Sequence, residues 1–279
     1  MDIRSAAELG EIAQGRRIHS LVHLAAAGTV LAPLKAVPGL FDVSVDGALN
    51  VLKVFQPGRV IYGSSCAVYG NSRPEGGRAG WEDVHPISVY GLSKAATEKV
   101  LEQWARESGS VAVLLRLGNV VGANCGGLIP YLVRHATKYP DGNVAAAMRG
   151  GGKIARDYVP VDFVTRVMQL ALQSDFEPGT STVFNVGAGR TMTNGDIADI
   201  LREWLAPIGY RLRVEFQPNP EHGESMCSRL QTDVTESRFN FIPPSVDEVR
   251  QAVRAGAKSY LEQFQAAAAV AGQLSVSTK

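Results

Sequence analysis

Arg59-Val60-Ile61-Tyr62-Gly63-Ser64-Ser65 is a short, almost continuous apolar run that stops on two serines. A run of that length without alternation reads as a strand buried on both faces, as in the middle of a parallel sheet. Its partners lie on either side. Ser20-Leu21-Val22-His23-Leu24-Ala25-Ala26 and Val111 to Leu117 are runs of the same kind. Between them, residues 43–55 carry Val45, Leu49, Leu52 and Val54 at helical spacing. Residues 90–108 carry Val100, Leu101 and Trp104 on one side of a longer helix, which Gly109 is placed to end. Strands alternating with helices predict an α/β fold, a parallel sheet wrapped by helices on both faces.

Farther out the pattern loosens. Residues 5–15 read as a short helix before the first strand. Gly118 to Pro160 is rich in glycine and turn residues, around one helix near 128–138. Val161 to Gln173 reads as a helix, Thr182 to Val186 as a strand, 194–206 as a helix and Arg211 to Phe216 as a strand. A turn-rich stretch at 217–225 leads to a closing helix at 245–264. The tail from Ala266 is alanine-rich, then polar, and is expected to fray. Gly150-Gly151-Gly152 does not sit between a strand and a helix start, so it reads as a flexible connection rather than a phosphate loop.

The composition is that of an ordinary globular chain: 279 residues, 45% hydrophobic, 20% charged, net charge +1. A balanced charge gives no reason to expect nucleic acid or a membrane as partner. Cys66, Cys125 and Cys227 are far apart and form no CxxC pair, which speaks against a disulfide framework or a zinc site and fits a reducing cytoplasm. His23 and His85 read as packed or turn histidines, with no residues beside them to complete a metal site. No apolar run approaches the roughly 20 residues of a membrane span, and Met1-Asp2-Ile3-Arg4-Ser5 opens no signal-peptide core.

The chemistry concentrates at Tyr90-Gly91-Leu92-Ser93-Lys94. Four residues is one helical turn, so the phenol and the ammonium project from the same face. A cation beside a phenol favours the phenolate and pulls its pKa down from about 10. A phenol tuned that way takes a proton from a sugar or alcohol hydroxyl near neutral pH. Ser65, at the end of its strand, offers a hydroxyl to share that proton; its bland role would be to cap the strand-to-loop turn. A lone YxxxK is common by chance, and its weight here comes from company.

That company is a set of segments in a familiar order: Asp2-Ile3-Arg4, His23-Leu24-Ala25-Ala26, Ser64-Ser65-Cys66-Ala67-Val68-Tyr69-Gly70, Tyr90 to Lys94, Arg116-Leu117-Gly118-Asn119-Val120-Val121-Gly122, Arg156-Asp157-Tyr158-Val159-Pro160-Val161-Asp162 and Phe184-Asn185-Val186-Gly187-Ala188-Gly189. In these the chain resembles the extended short-chain dehydrogenase/reductases, in the NAD-dependent nucleotide-sugar epimerase/dehydratase branch that includes UDP-glucose 4-epimerase. The resemblance implies a Rossmann-like doubly wound sheet with a smaller α/β substrate-binding region. Residues 1–118, with 160–189 returning to them, would form a partial dinucleotide-binding domain. Residues 119–159 and 190–265 would form the substrate region, and 266–279 a flexible tail.

Members of that family open with a strand, a GxxGxxG turn and a helix that seat the cofactor pyrophosphate. No GxxGxxG stands ahead of Asp2-Ile3 here, and Gly187-Ala188-Gly189 fits the family's late strand-end turn. The sheet is therefore expected to be truncated on its N-terminal side by about one and a half βαβ units of roughly 30 residues each. An apolar edge at 20–24 would then need covering, for which a second copy of the chain is one candidate.

The resemblance also implies roles. Ser65, Tyr90 and Lys94 would be catalytic, with Lys94 also holding the nicotinamide ribose. Asp2, Ile3, Leu24, Ala25, Ala26, Ser44, Ser64, Tyr90 and Lys94 would border the cofactor, NAD with NADP not separated from it. Ser65, Tyr90, Asn119, Leu128 and Arg156 would face the substrate, Arg156 bonding its diphosphate; the bland roles of Asn119 and Arg156 are a turn residue and an ion pair with Asp157. A second phosphate-binding arginine is expected near Asn219-Pro220-Glu221-His222-Gly223-Glu224, where an acid stands instead; His222 or Arg229 are the substitutes at hand. Cys66 and Ala67 take the positions at which family dehydratases carry Asp and Glu, so elimination of water is not expected.

The function so implied is an NAD-dependent nucleotide-sugar 4-epimerase, an isomerase working by transient hydride transfer with Tyr90 as base. Its partner would be a nucleotide-diphosphate sugar, and it would be a homodimer through helices such as 43–55 and 90–108. An NAD(P)H-dependent sugar or carbonyl reductase of the same family, and a truncated remnant unable to hold dinucleotide, stay open beside it.

Overall fold

The computed structural model of the chain describes residues 2–16, 18–28, 31–73, 75–218 and 224–276. Helix α1 (Ala6–Ala13) leads into β1 (Ser20–His23). Then α2 (Val37–Phe41), a π-helical turn (Asp42–Asp46) and α3 (Gly47–Phe55) form one helical run. After it come β2 (Arg59–Ser65), α4 (Val89–Ser108), β3 (Val111–Leu117), β4 (Asn119–Val121), α5 (Leu128–Lys138) and β5 (Ala146–Met148). The order continues with β6 (Ala155–Arg156), β7 (Tyr158–Pro160), α6 (Val161–Gln173), β8 (Thr180–Val186), β9 (Met192–Thr193) and α7 (Asn194–Leu205). It closes with β10 (Val214–Phe216), β11 (Cys227–Ser228), α8 (Asp233–Phe239) and α9 (Val246–Val276).

The apolar runs pair as their burial requires. The main sheet has the order β1-β2-β3-β8, and every pairing in it is parallel. Ile61, Val113, Leu115 and Phe184 pack on one face against Val164, Val167 and Ala171 of α6 and Phe239 of α8. Val60, Tyr62, Ala112 and Leu114 pack on the other against Leu52 of α3 and Leu101 and Ala105 of α4. The result is helix, sheet, helix, a Rossmann-like arrangement. Among the described residues β1 pairs with β2 alone, so it forms the edge of the sheet.

A second core gathers α5, α7 and α9 around β4, β5 and β7, with Leu132, Ile197, Leu201 and Val253 fully buried. Here short strands pair across long stretches of chain: β4 with β7, β5 with β10, and β6 with both β9 and β11. Both cores meet at the C-terminal ends of β2 and β3, the position at which open α/β sheets place their ligands.

Several boundaries differ from the sequence reading. The first strand stops at His23 rather than Ala26, and Leu24 is 55% exposed beyond it. The helix expected at 43–55 starts at Val37 and carries a π turn centred on Ser44, a local widening of the kind associated with functional sites. The strand expected from Arg211 starts at Val214, and the closing helix runs from Val246 to Val276. Gly150–Gly152 is a defined 3-10 turn, not a loose connection; all three glycines have positive φ, and a Cβ on Gly152 would stand 2.8 Å from the Phe216 ring.

Candidate active site

Helix α4 brings the site together. Ser88 caps it, its Oγ accepting from the Gly91 amide at 3.1 Å, and Gly109 ends it at φ 68°. Along one face, Tyr90, Lys94 and Glu98 follow at intervals of one turn. Three consecutive residues of β2 meet them. Ser65 lines one cleft with Tyr90, and its Oγ accepts from the Ala67 amide at 3.2 Å. The Gly63 carbonyl accepts from Lys94 Nζ at 2.7 Å. Ser64 Oγ donates to the carboxylate of Glu98. Ser65 thus both caps the strand-to-loop turn and lines the cleft beside Tyr90, while Ser64 is buried against Glu98.

The electrostatics differ from the sequence expectation. Lys94 does not dominate the Tyr90 phenol. Burial pushes the phenol above its ordinary value, the nearby Ser65 hydroxyl opposes this, and the neighbouring Cys66 adds to it. Lys94 Nζ stands 5.9 Å from the Tyr90 ring centroid, but its hydrogen bond goes to Gly63 and it lies 4.8 Å over the Tyr62 ring. Burial also pulls Lys94 down to about 8, and Glu98 works in the other direction. His23, stacked on Tyr62, is pulled down to about 4, first by burial and then by Lys94.

A cleft of about 350 Å³ opens over Tyr90, Ser65 and Cys66 and reaches Asn119 and Arg156. An adjoining cavity of about 540 Å³ shares Asn119 and Arg156 and continues past Leu128, Met148 and Arg149. Ser65, Tyr90, Asn119, Leu128 and Arg156 are therefore brought together along one channel. Arg156 is not paired with Asp157 but with Glu224, at 3.5 Å. Asp157 faces the other way and accepts from the amides of Ala188 and Leu230. His222 lies outside the described residues, and Arg229 donates from Nε to the Gly189 carbonyl. The Cys66 thiol is buried, and burial pushes it up, so a neutral thiol lines the floor where a carboxylate would be needed for elimination.

The remaining residues lie outside this channel. Lys94 is buried beneath it. Leu24, Ala25 and Ala26 are exposed just past β1. Ile3 packs with Leu9 and Val51, and the Asp2 carboxylate is taken by Arg4, whose hydrogen bonds hold it down to about 2. His23 Nε2 and Ser44 Oγ are among the buried side-chain polar atoms without a hydrogen-bond partner. His23 stacks on the ring over which Lys94 sits, and the Ser44 carbonyl accepts from Thr97 of α4. An ammonium beside an unmatched imidazole nitrogen suits the hydroxyl-rich ribose of a dinucleotide, so the residues present fit one. Among the described residues no group of three His, Cys, Asp or Glu could hold a metal ion, and no helix is long and apolar enough to cross a membrane.

The sequence reading did not single out Glu98 and Arg116. Their signals were present: an acid one turn past Lys94, and an arginine inside an otherwise apolar strand.

A model of the NAD dependent epimerase/dehydratase family matches residues 1–187. UDP-glucose 4-epimerase of Lactobacillus helveticus is 26% identical over 256 residues, 85% of this chain and 75% of that protein. The solved structure of UDP-glucose 4-epimerase of Thermotoga maritima with UDP-glucose superposes with a TM-score of 0.78 at 24% identity, covering 95% of this chain and 84% of that one. The Thermus thermophilus UDP-glucose 4-epimerase complex with NAD gives 0.77 at 24% identity, covering 93% and 83%.

Proposed function

The chain belongs to the NAD-dependent epimerase/dehydratase family, and on that premise we propose that it is a nucleotide-sugar epimerase of the 4-epimerase kind. One observation carries the reading. Tyr90 and Ser65 stand together in a cleft that runs on to Asn119 and Arg156. A proton-accepting phenol and an anion-binding guanidinium in one channel suit a substrate with a sugar at one end and a diphosphate at the other. Matched relatives carry that name, among them the Lactobacillus helveticus enzyme.

In this reading Arg156 and Asn119 hold the diphosphate and Leu128 borders the nucleoside. Tyr90 takes the proton of a sugar hydroxyl, and Ser65, lining the same cleft, offers a hydroxyl to share it. Lys94 supplies a positive charge beneath the phenol. Lys94 and Ser44 hold the cofactor's ribose end, with Leu24, Ala25 and Ala26 along the strand end and Asp2 and Ile3 toward the adenine. NAD, when bound, supplies a store for the hydride between its removal and its return. Cys66 and Ala67 provide no carboxylate, which separates this site from elimination chemistry. The reading includes a homodimer; the exposed side chains of Leu49 on α3 and Leu92 on α4 supply apolar surface for it.

Incubation of the protein with NAD and UDP-glucose, with the sugars separated afterwards, tests the reading. We expect interconversion with the 4-epimer and no net reduction of NAD, and a loss of about 10²–10⁴ in kcat for Tyr90→Phe. One-way consumption of NADPH would replace the epimerase with a reductase. Failure to bind NAD in a fluorescence titration would remove both.

A further inference from the structure

Glu98 is fully buried, and a buried carboxylate needs compensation. Arg116 of β3, equally buried, supplies it twice over. Its Nη2 donates to Oε2 at 2.7 Å and its Nε to Oε1 at 3.1 Å. Ser64 of β2 adds a third donor. The remaining donors of Arg116 reach outward: Nη1 donates to the Tyr69 hydroxyl at 3.0 Å and to the Gly80 carbonyl at 2.6 Å, and Tyr69 passes the chain on to Asn185 of β8. One acid on α4 is thus tied to three strands of the sheet.

Its placement one turn past Lys94 gives the network a second effect. The groups facing Lys94 are His23 from β1, Tyr62 from β2, and Tyr90 and Glu98 from its own helix. His23 is neutral and the tyrosines are protonated at pH 7, so the charge opposing the burial of the ammonium comes from Glu98. We propose that Glu98, held by Arg116 and Ser64, is the positioning residue of this site, fixing both the place of the Tyr90–Lys94 face against β2 and the ammonium charge of Lys94. Glu98 touches neither the cleft nor its contents; it acts through Lys94. The mechanistic part of this inference rests on the proposed function, whereas the electrostatic part does not.

Lysine labelled at Cε and followed by NMR across pH reads the charge of Lys94 directly, its signal identified by its loss in Lys94→Met. In Glu98→Gln the titration of Lys94 is expected to move to lower pH by about one unit or more. In Ser64→Ala it is expected to move the other way, because Glu98 loses a donor that shares its charge. A merely structural role would move neither, or both in one direction, and either result overturns the proposal. Should Glu98→Gln fail to fold, Ser64→Ala leaves the ion pair intact and carries the test alone, an unmoved titration again overturning it. In turnover of UDP-glucose the alkaline limb of kcat should follow the same shifts, with KM held within about threefold. Opposite shifts by NMR in a protein that never turns over would sink the epimerase reading and leave the positioning role of Glu98 standing.

Discussion

Gly91 and Ala67 meet backbone to backbone: a Cβ built on Gly91 would stand 2.4 Å from the Ala67 carbonyl oxygen. Neither group can step aside, because one belongs to the first turn of α4 and the other to the 3-10 turn after β2. Gly91→Ala is therefore expected to push Tyr90 away from Ser65. Overpacking of this kind costs about 1–3 kcal/mol. The measurement is paired, a urea midpoint and kcat. A variant as stable and active as the parent would show that this contact does not set the site.

Lys94 gives stability a pH dependence of known sign. Its folded pKa, near 8, lies below the unfolded value of 10.5. Between these the unfolded chain binds more protons, so this residue makes the protein more stable as pH rises from about 8 to about 10.5. The slope is at most about 1.4 kcal/mol per pH unit. Urea unfolding of the parent and of Lys94→Met across that range should show the rise in the first and not in the second.

Arg156 is the cationic end of the channel, paired with Glu224 at 3.5 Å. Charge-assisted hydrogen bonds of the kind a diphosphate would make are worth about 1.5–3 kcal/mol. Arg156→Gln should weaken the binding of UDP roughly 10- to 100-fold by calorimetry, with less dependence on salt, and leave the binding of NAD unchanged. Equal affinity in parent and variant would move the phosphate site elsewhere.

Asp157 ties the two cores. Its carboxylate accepts from the Ala188 amide at 2.6 Å and the Leu230 amide at 3.2 Å, while its own carbonyl accepts from the Asn119 amide at 2.6 Å. Burial pushes the carboxyl up to about 7 in spite of those donors. A raised acid lends its stability fully below the unfolded pKa, near 4, and loses it as pH climbs through 7. Asp157→Asn, which turns one acceptor into a donor facing an amide, should cost about 2 kcal/mol. The stability gap between parent and variant should narrow from pH 4 to pH 8. A gap independent of pH would show that the carboxyl titrates normally.

The parts legible in the sequence were those whose signal is local. β2 and β3 are apolar runs and α4 ends on Gly109, so strand and helix could be read directly. The short strands β4 to β7, β9 and β11 could not, because two or three residues carry no period and their partners lie far along the chain, whereas β10 was read three residues too early. The effect of Lys94 on Tyr90 was misjudged for a physical reason. Spacing places the two on one face, but only the packed structure shows that Lys94 bonds to Gly63 and that burial outweighs its charge.

The correspondence between Ser65, Gly63 and Ser64 on the strand and Tyr90, Lys94 and Glu98 on the helix makes this site a single mechanical part. A strand slipped by one residue would send Ser64 into the channel and Ser65 into the core, reversing every facing side chain at once. Engineering that grafts the tyrosine and lysine alone onto another scaffold would carry the reagents without their alignment. The smallest transferable piece is the strand, the helix and the arginine that locks them.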